Sequence, residues 1–401
     1  MAARTDSNEQ VTALAGSAAR AALNAIDAEA ARDFASGADI TTLLACRTGA
    51  IDDLVIECWR EHMGKCPFAL FATGGYGRRE MFPQSDIDLL ILVDGGLVAD
   101  DLQDASAPIG AFIAALWDAG LKPGHAVRNL AGCREAASDL TVVTSLMDAR
   151  LLSGDPPKAE LLANAIAPPL WPAAAYLSAR QHSQEIRHAR FNDTAWNLEP
   201  NIKDGPGGLR DLHTLIWVAQ RTSSARSLVA ARDEGLIEKL INPAEFEALR
   251  AARDHVARVR FALHRAAGRA EERLLFDYQR ELARGFGFDD EHAGNLAVEQ
   301  FMQAWFRAAQ TIDRLNERVI TRCAERLAAG EGCPRTERLD EHWQLLDGAL
   351  AAIDGSAIAA EPARLIEPFA WLARRADITG FHSSLIELLD EALTCVGTRL
   401  R

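Results

Sequence analysis

The chain has 401 residues, a net charge of −14, 48% apolar residues and 25% charged ones. That length allows two or three domains, and the composition is that of a globular protein. The acidic balance argues against nonspecific binding to nucleic acid or to an anionic membrane, which needs a basic footprint, but leaves room for a local phosphate pocket.

No apolar run is long enough to predict a transmembrane helix. The opening MAARTDSNEQ lacks the apolar stretch of a secretory signal. Seven dispersed cysteines without a CxxC pair read as reduced thiols of a cytoplasmic protein. Residues 1–10 are polar and expected to be mobile. Helices are predicted over about 11–35 and 39–62; the second carries Leu43, Leu44, Ile51, Leu54, Val55 and Trp59, mostly at three- and four-residue spacings.

Residues 68–92 read FALFATGGYGRREMFPQSDIDLLIL. The apolar run Phe68–Ala72 predicts a buried strand that ends at Gly74 and Gly75, and a second strand covers Leu89–Val93. Asp86 and Asp88 stand at its head, and side chains at i and i+2 of a strand share a face. Two carboxylates about 4 Å apart repel by roughly 4 kcal/mol near a protein surface, which a divalent cation would offset. Oxygen ligands suit magnesium. Two glycines in succession let a phosphate approach backbone N–H groups. Either motif alone is usually a solvated strand end or a turn; the combination carries the reading.

Asp94-Gly95-Gly96 then breaks the pattern, an amphipathic helix is predicted over 100–118 with Gly120 as its stop, and a third strand over His125 to Leu130. Ser138 is expected to cap a helix that carries Val142, Val143, Leu146 and Leu151 and ends at Gly154. The third strand offers no acid. Asp139 reads either as a further metal ligand or, by preference, as a carboxylate at a helix start, where the dipole favours it by roughly 0.3–1 kcal/mol.

The proline-rich stretch 155–172 suggests a linker or domain edge. Next, 186–213 contains Gly205-Pro206-Gly207-Gly208 among Asn197, Glu199, Lys203, Arg210 and Asp211, a loop expected to touch a ligand or an incoming partner. From Leu212 the chain reads as helices, with stripes such as Val256, Val259, Leu263 and Phe301, Trp305, Ile312. A hairpin turning at Asp347-Gly348 is expected within 341–353, and helices close the chain.

Strand, Gly-Gly, polar gap and Ser85-Asp86-Ile87-Asp88 together resemble the DNA polymerase β-like nucleotidyltransferases. The wording GGYGRREMFPQSDIDLLIL, with SDLTVVTSLMDARLLSGD, LEPNIKDGPGGLRDLHTL and RVRFALHRAAGRAEERLLFD downstream, closely resembles the nucleotidyltransferase region of the bacterial PII uridylyltransferases, the GlnD family, over about residues 50–395. The family usually has Gly where this chain has Arg79.

The resemblance implies an α/β polymerase β-like domain with a small mixed sheet, followed by a mainly α-helical domain. Expected divisions are a helical extension over 1–62, the α/β core over 63–155, a helical domain over 173–335 holding the glycine-rich loop 197–211, and a C-terminal hairpin with helices over 336–401. It implies transfer of UMP from UTP to a tyrosine of the PII signalling protein, releasing pyrophosphate, with Mg²⁺ or alternatively Mn²⁺. Asp86 and Asp88 are the expected catalytic metal ligands, with Asp139 a further candidate. Gly74, Gly75, Arg78, Ser85, Lys203 and Arg210 are expected to hold the nucleotide. The rival readings are an adenylyltransferase acting on another protein and a noncatalytic PII-binding scaffold. Neither nucleic acid nor membrane is an expected partner. Full-length family members continue into an HD hydrolase and two ACT domains. No histidine here is followed directly by aspartate, so the chain is expected to add UMP, not to remove it, and not to sense glutamine.

Overall fold

The structure, a computed structural model, describes residues 2–64, 66–94, 99–223, 240–292, 296–330, 335–389 and 392. Helix α1 (Ala2–Ala35) packs on α2 (Ile40–Met63). The chain is already helical at Ala2, so the polar first residues are not an irregular tail. Asp39 caps α2 by accepting from the Thr42 amide at 2.8 Å, which satisfies one of the helix's unpaired donors.

Strand β1 (Ala69–Thr73) leads into a single helical turn, α3 (Gly74–Gly77), and β2 (Ile87–Leu92) follows. Helix α4 (Ala99–Asp118) crosses to β3 (Pro123–Arg128). The Gly95-Gly96 break before α4 lies outside the described residues. Short helices α5 (Leu130–Ala136) and α6 (Leu140–Met147) precede β4 (Arg150–Ser153). The sheet order is β3-β2-β1-β4; β1 is antiparallel to β2 and β4, and β2 is parallel to β3.

Alternation along the strands sorts two cores. Leu70, Ala72, Ile87, Leu89 and Ile91 face Trp59 of α2 and Phe112 of α4. Ala69, Phe71, Leu90 and Leu92 face the other way, toward Leu146, Tyr176 and Trp217. Asp88 has the parity of Leu90 and Leu92 and so projects toward the helices of the second half. That one fact positions the site.

Two sequence expectations fail here. Asp139, not Ser138, caps α6, accepting from the Thr141 and Val142 amides, while the Ser138 hydroxyl donates to the Glu135 carbonyl. Residues 150–153 are strand rather than helix: Leu151 lies opposite Phe71. A two-leucine run fits either period, and pairing with β1 decides it. The proline-rich stretch also holds a helix, α7 (Pro157–Ala165), with proline in its first turn and Leu162 buried.

The second half comprises α8 (Ala173–Ala189), α9 (Leu209–Ser223), α10 (Pro243–Ala267), α11 (Phe276–Gly285) and α12 (Ala297–Gly330). Val256, Val259 and Leu263 of α10 share a core with Phe301, Trp305 and Ile312 of α12. Ile40 and Leu43 of α2 and Phe82 belong to the same core, so the sheet and the helices are knit together. An Asn242–Glu245 capping box starts α10 and left-handed Gly268 ends it.

A second four-stranded sheet follows, ordered β5 (Thr336–Arg338), β6 (Trp343–Leu346), β7 (Ala349–Ala352), β8 (Gly380–Phe381). The β6–β7 hairpin turns at Asp347 and Gly348, both at positive φ (48° and 88°), as the sequence indicated. Helices α13 (Gly355–Ala360) and α14 (Glu367–Arg374) accompany it. Of the expected closing helices, residues 383–389 are helical; residues 393–401 lie outside the described ones. Among the described residues no helix is long and apolar enough to cross a membrane.

Candidate active site

A cavity of about 440 Å³ opens where the Asp88 face of the first sheet meets α8, α9 and α10. Gly74, Gly75, Arg78, Ser85, Asp86, Asp88, Lys203 and Arg210 all line it, so the structure joins two stretches more than a hundred residues apart. Asp139 does not line it; its carboxylate is taken up by the α6 cap, and those backbone bonds hold it below the usual carboxylate range. This agrees with the helix-start reading.

Two glycines of the GGYG turn have distinct reasons. Gly74 sits at φ +55°, and a Cβ there would stand 3.2 Å from Asp88 Oδ2. A Cβ on Gly77 would lie 2.1 Å from the Asp148 carbonyl oxygen, so only glycine lets α3 pack on the link to β4. Arg79 adopts φ 62°, a left-handed conformation that suits the family's usual glycine better.

Asp86 and Asp88 are both exposed to the cavity side. Among the described residues neither carboxylate makes a hydrogen bond or an ion pair. The other acids lining the cavity are all engaged. Glu80 meets Arg78 at 3.0 Å and His213 at 2.8 Å; Asp148 meets Arg78 at 2.5 Å and the Trp217 indole at 3.1 Å; Glu272 holds Arg260. Desolvation and the neighbouring Asp86 charge push the Asp88 carboxyl above its usual range. Two uncommitted, mutually repelling oxygen donors fit a hard divalent cation.

Arg78, expected to steady phosphate charge, lines the cavity but is clamped between Glu80 and Asp148. Lys203 stands 3.9 Å from Glu272, and Arg210 is 3.3 Å from Asp204. Burial, with Arg260 nearby, lowers the Lys203 pKa from its ordinary value. Packing accounts for two glycines of the loop. A Cβ on Gly207 (φ +73°) would lie 2.2 Å from the Ala309 carbonyl oxygen of α12, and one on Gly205 would lie 2.6 Å from the Asn201 carbonyl oxygen. The glycines let the loop press against α12 and itself, while the cations beside them face the cavity.

Sequence reading missed Glu80, Asp148, Arg180, His213 and Trp217, all of which line the cavity. His213 and Trp217 lie four apart on α9, a helical spacing that signalled a shared face; Asp148 and Arg180 carried no local signal. His213 is buried, and desolvation together with Arg78 pushes its pKa down to about 4. Glu80 is depressed despite its burial because His213 and Arg78 stabilise its charge.

A second grouping, His188, Asp211 and Asp313, has ligand-type atoms within 4.8 Å of one another. Asp211 is already saturated: Arg187 (2.5 Å) and His188 (3.0 Å) share Oδ1, and the Gly207 amide donates to Oδ2 at 2.8 Å. It serves as a node that ties α8 to the glycine-rich loop.

The GlnD PII-uridylyltransferase family profile matches residues 175–320, and the nucleotidyltransferase profile DUF294 matches residues 23–130. A bifunctional uridylyltransferase/uridylyl-removing enzyme of Azotobacter vinelandii is 40% identical over 376 residues, 93% of this chain. The chain is related to the GlnD uridylyltransferases. Enzymes of the same description from Pseudomonas aeruginosa and Methylococcus capsulatus are 37% and 38% identical over 92% and 93% of the chain. The chain spans 40%, 40% and 42% of the length of these three relatives. The two profiles fall on the two sides of the cavity: residues 23–130 contain Asp86 and Asp88, and residues 175–320 contain Lys203 and Arg210.

Proposed function

We propose that this chain is a nucleotidyltransferase that moves UMP from UTP to a tyrosine hydroxyl of a PII protein and releases pyrophosphate. The observation that carries this is the pair Asp86 and Asp88, the only cavity acids left uncommitted among the described residues, facing basic side chains from the segment that matches the GlnD profile. The hydroxyl oxygen bonds to the α-phosphorus, the bond from that phosphorus to the pyrophosphate oxygen breaks, and the hydroxyl proton passes to water. We read the first half as a polymerase β-like domain; a small mixed sheet with Asp88 on its second strand and Asp86 just before that strand supports this reading.

Asp86 and Asp88 would hold Mg²⁺, or Mn²⁺ in its place, which supplies Lewis-acid stabilisation of the phosphates. Gly74, with no Cβ, leaves space around Asp88, and Gly75, whose missing Cβ faces only the Arg78 guanidinium at 3.8 Å, would let phosphate approach the α3 amides. Ser85 adds a hydroxyl at the cavity wall. Lys203 and Arg210 set positive charge opposite the acids, where charge grows on the departing pyrophosphate. The matching family description, PII-uridylyltransferase, and the relatives' description as uridylyltransferases support the readings of PII and UTP as substrates. A cytoplasmic site of action is part of the same reading.

Incubating the chain with purified PII, Mg²⁺ and, separately, UTP, ATP, CTP and GTP tests the proposal. Modification of PII with UTP alone is expected. Modification with ATP alone would favour an adenylyltransferase, and none with any nucleotide would leave only the scaffold reading.

A further inference from the structure

Arg180, on α8, lines the cavity and is buried. Its Nε donates to the Tyr176 hydroxyl at 3.2 Å, and Nη2 donates to the Thr144 hydroxyl. Thr144 and Tyr176 are themselves joined at 3.2 Å, and Thr144 donates to the Leu140 carbonyl at 2.6 Å. The guanidinium lies over the Trp217 ring, 4.4 Å from its centroid. Three groups thus fix its plane, and Nη1 takes no partner among the described residues.

The cavity's other basic side chains, Arg78, Arg187, Lys203, Arg210 and Arg260, each have a carboxylate within 4.0 Å. Arg180 has none. A permanently charged group taken from water without a counter-ion is costly, and an uncompensated buried charge is strongly destabilising. The arrangement makes sense when an anion completes it. Planar, rigidly held guanidinium matches phosphate oxygens with a bidentate fork. Arg78 and Arg210 approach the same indole at 5.6 and 5.7 Å, so three guanidinium groups converge on one ring.

We propose that Arg180 grips the pyrophosphate end of the bound nucleoside triphosphate and retains it as the leaving group departs. This rests on the nucleotidyltransferase reading above. Bracing by Tyr176 and Thr144 prepares the fork before the ligand arrives, so little side-chain freedom is lost on binding.

Calorimetric titration of the chain with magnesium pyrophosphate, UTP and UMP separates the outcomes. Arg180→Met, folded by circular dichroism, is expected to weaken pyrophosphate and UTP at least tenfold and to leave UMP within twofold. Pyrophosphate should raise the Tm of the unsubstituted chain and raise that of the variant far less. Unchanged pyrophosphate affinity in Arg180→Met overturns the inference, as does a loss for UMP as large as that for pyrophosphate. If Arg180→Met does not fold, Arg180→Lys carries the test: it keeps the charge, loses the planar fork, and is expected to bind pyrophosphate severalfold more weakly; equal affinity overturns the inference. An unsubstituted chain that binds neither pyrophosphate nor UTP would instead overturn the functional reading beneath it.

Discussion

Asp88 lies directly opposite Gly124 in the parallel β2–β3 register, and a Cβ on Gly124 would stand 2.9 Å from Asp88 Oδ1. The third strand contributes no acid to the site; it contributes the absence of a side chain beside one. Gly124→Ala should therefore push the Asp88 carboxylate aside. The displaced group is the mobile end of a side chain on the cavity, so the cost in stability is small. Misplacement of a catalytic group by about 1 Å can cost 10²-fold in rate, and a fall in UMP transfer of roughly 10- to 100-fold is expected with Tm almost unchanged. Steady-state assay beside thermal melts checks it; full activity in the alanine variant would show that Asp88 tolerates displacement.

Gly207 behaves in the opposite way. Its left-handed φ and the Ala309 backbone 2.2 Å from its Cβ position leave no room for a side chain. Gly207→Val combines backbone strain with overlap against a helix, so a loss of roughly 3 kcal/mol or more is expected. Denaturant unfolding should show this, with activity loss following from unfolding. A folded Gly207→Val chain of normal stability would mean that α12 can yield at Ala309.

The Asp86/Asp88 pair, the glycine turn and the two flanking strands were legible because each leaves a short-range mark: an apolar run, an i, i+2 spacing, a Gly-Gly. So was the Asp347–Gly348 hairpin. The strand at Arg150–Ser153 was not, since four residues hold too little periodicity and Phe71 across the sheet decides the outcome. The glycine-rich loop is legible as an unusual segment, but what its glycines touch is not. Its cations face the cavity, but Gly207 answers to Ala309, a contact a hundred residues away. Arg180 and Asp148 were invisible, because burial and partnership are properties of packing rather than of spacing.

His213 gives the fold a pH dependence. Its folded pKa, about 4, lies below the ordinary 6.5. The unfolded chain therefore binds more protons between those values, and stability falls as pH drops from about 6.5 toward 4. The contribution is about 3 kcal/mol at most. Glu80, held low in the folded state, adds to the loss only below its ordinary value of 4.5. His213→Gln retains an N–H toward Glu80 without titrating, and should flatten the profile between pH 6.5 and 4.5. Urea unfolding at several pH values measures the slopes; identical slopes in the two proteins would remove His213 from this role.

The central claim is that Asp86 and Asp88 together form the metal-binding heart of a UMP-transfer site. The most direct measurement is incorporation of radiolabelled UMP into purified PII by the chain with Mg²⁺, compared with Asp86→Asn and Asp88→Asn. Loss of one ligand removes several kcal/mol of transition-state stabilisation, so transfer should drop by at least 10³-fold in each variant. Because the substitution also relieves repulsion, the Tm without metal should hold or rise. Near-normal transfer by either folded variant would contradict the account.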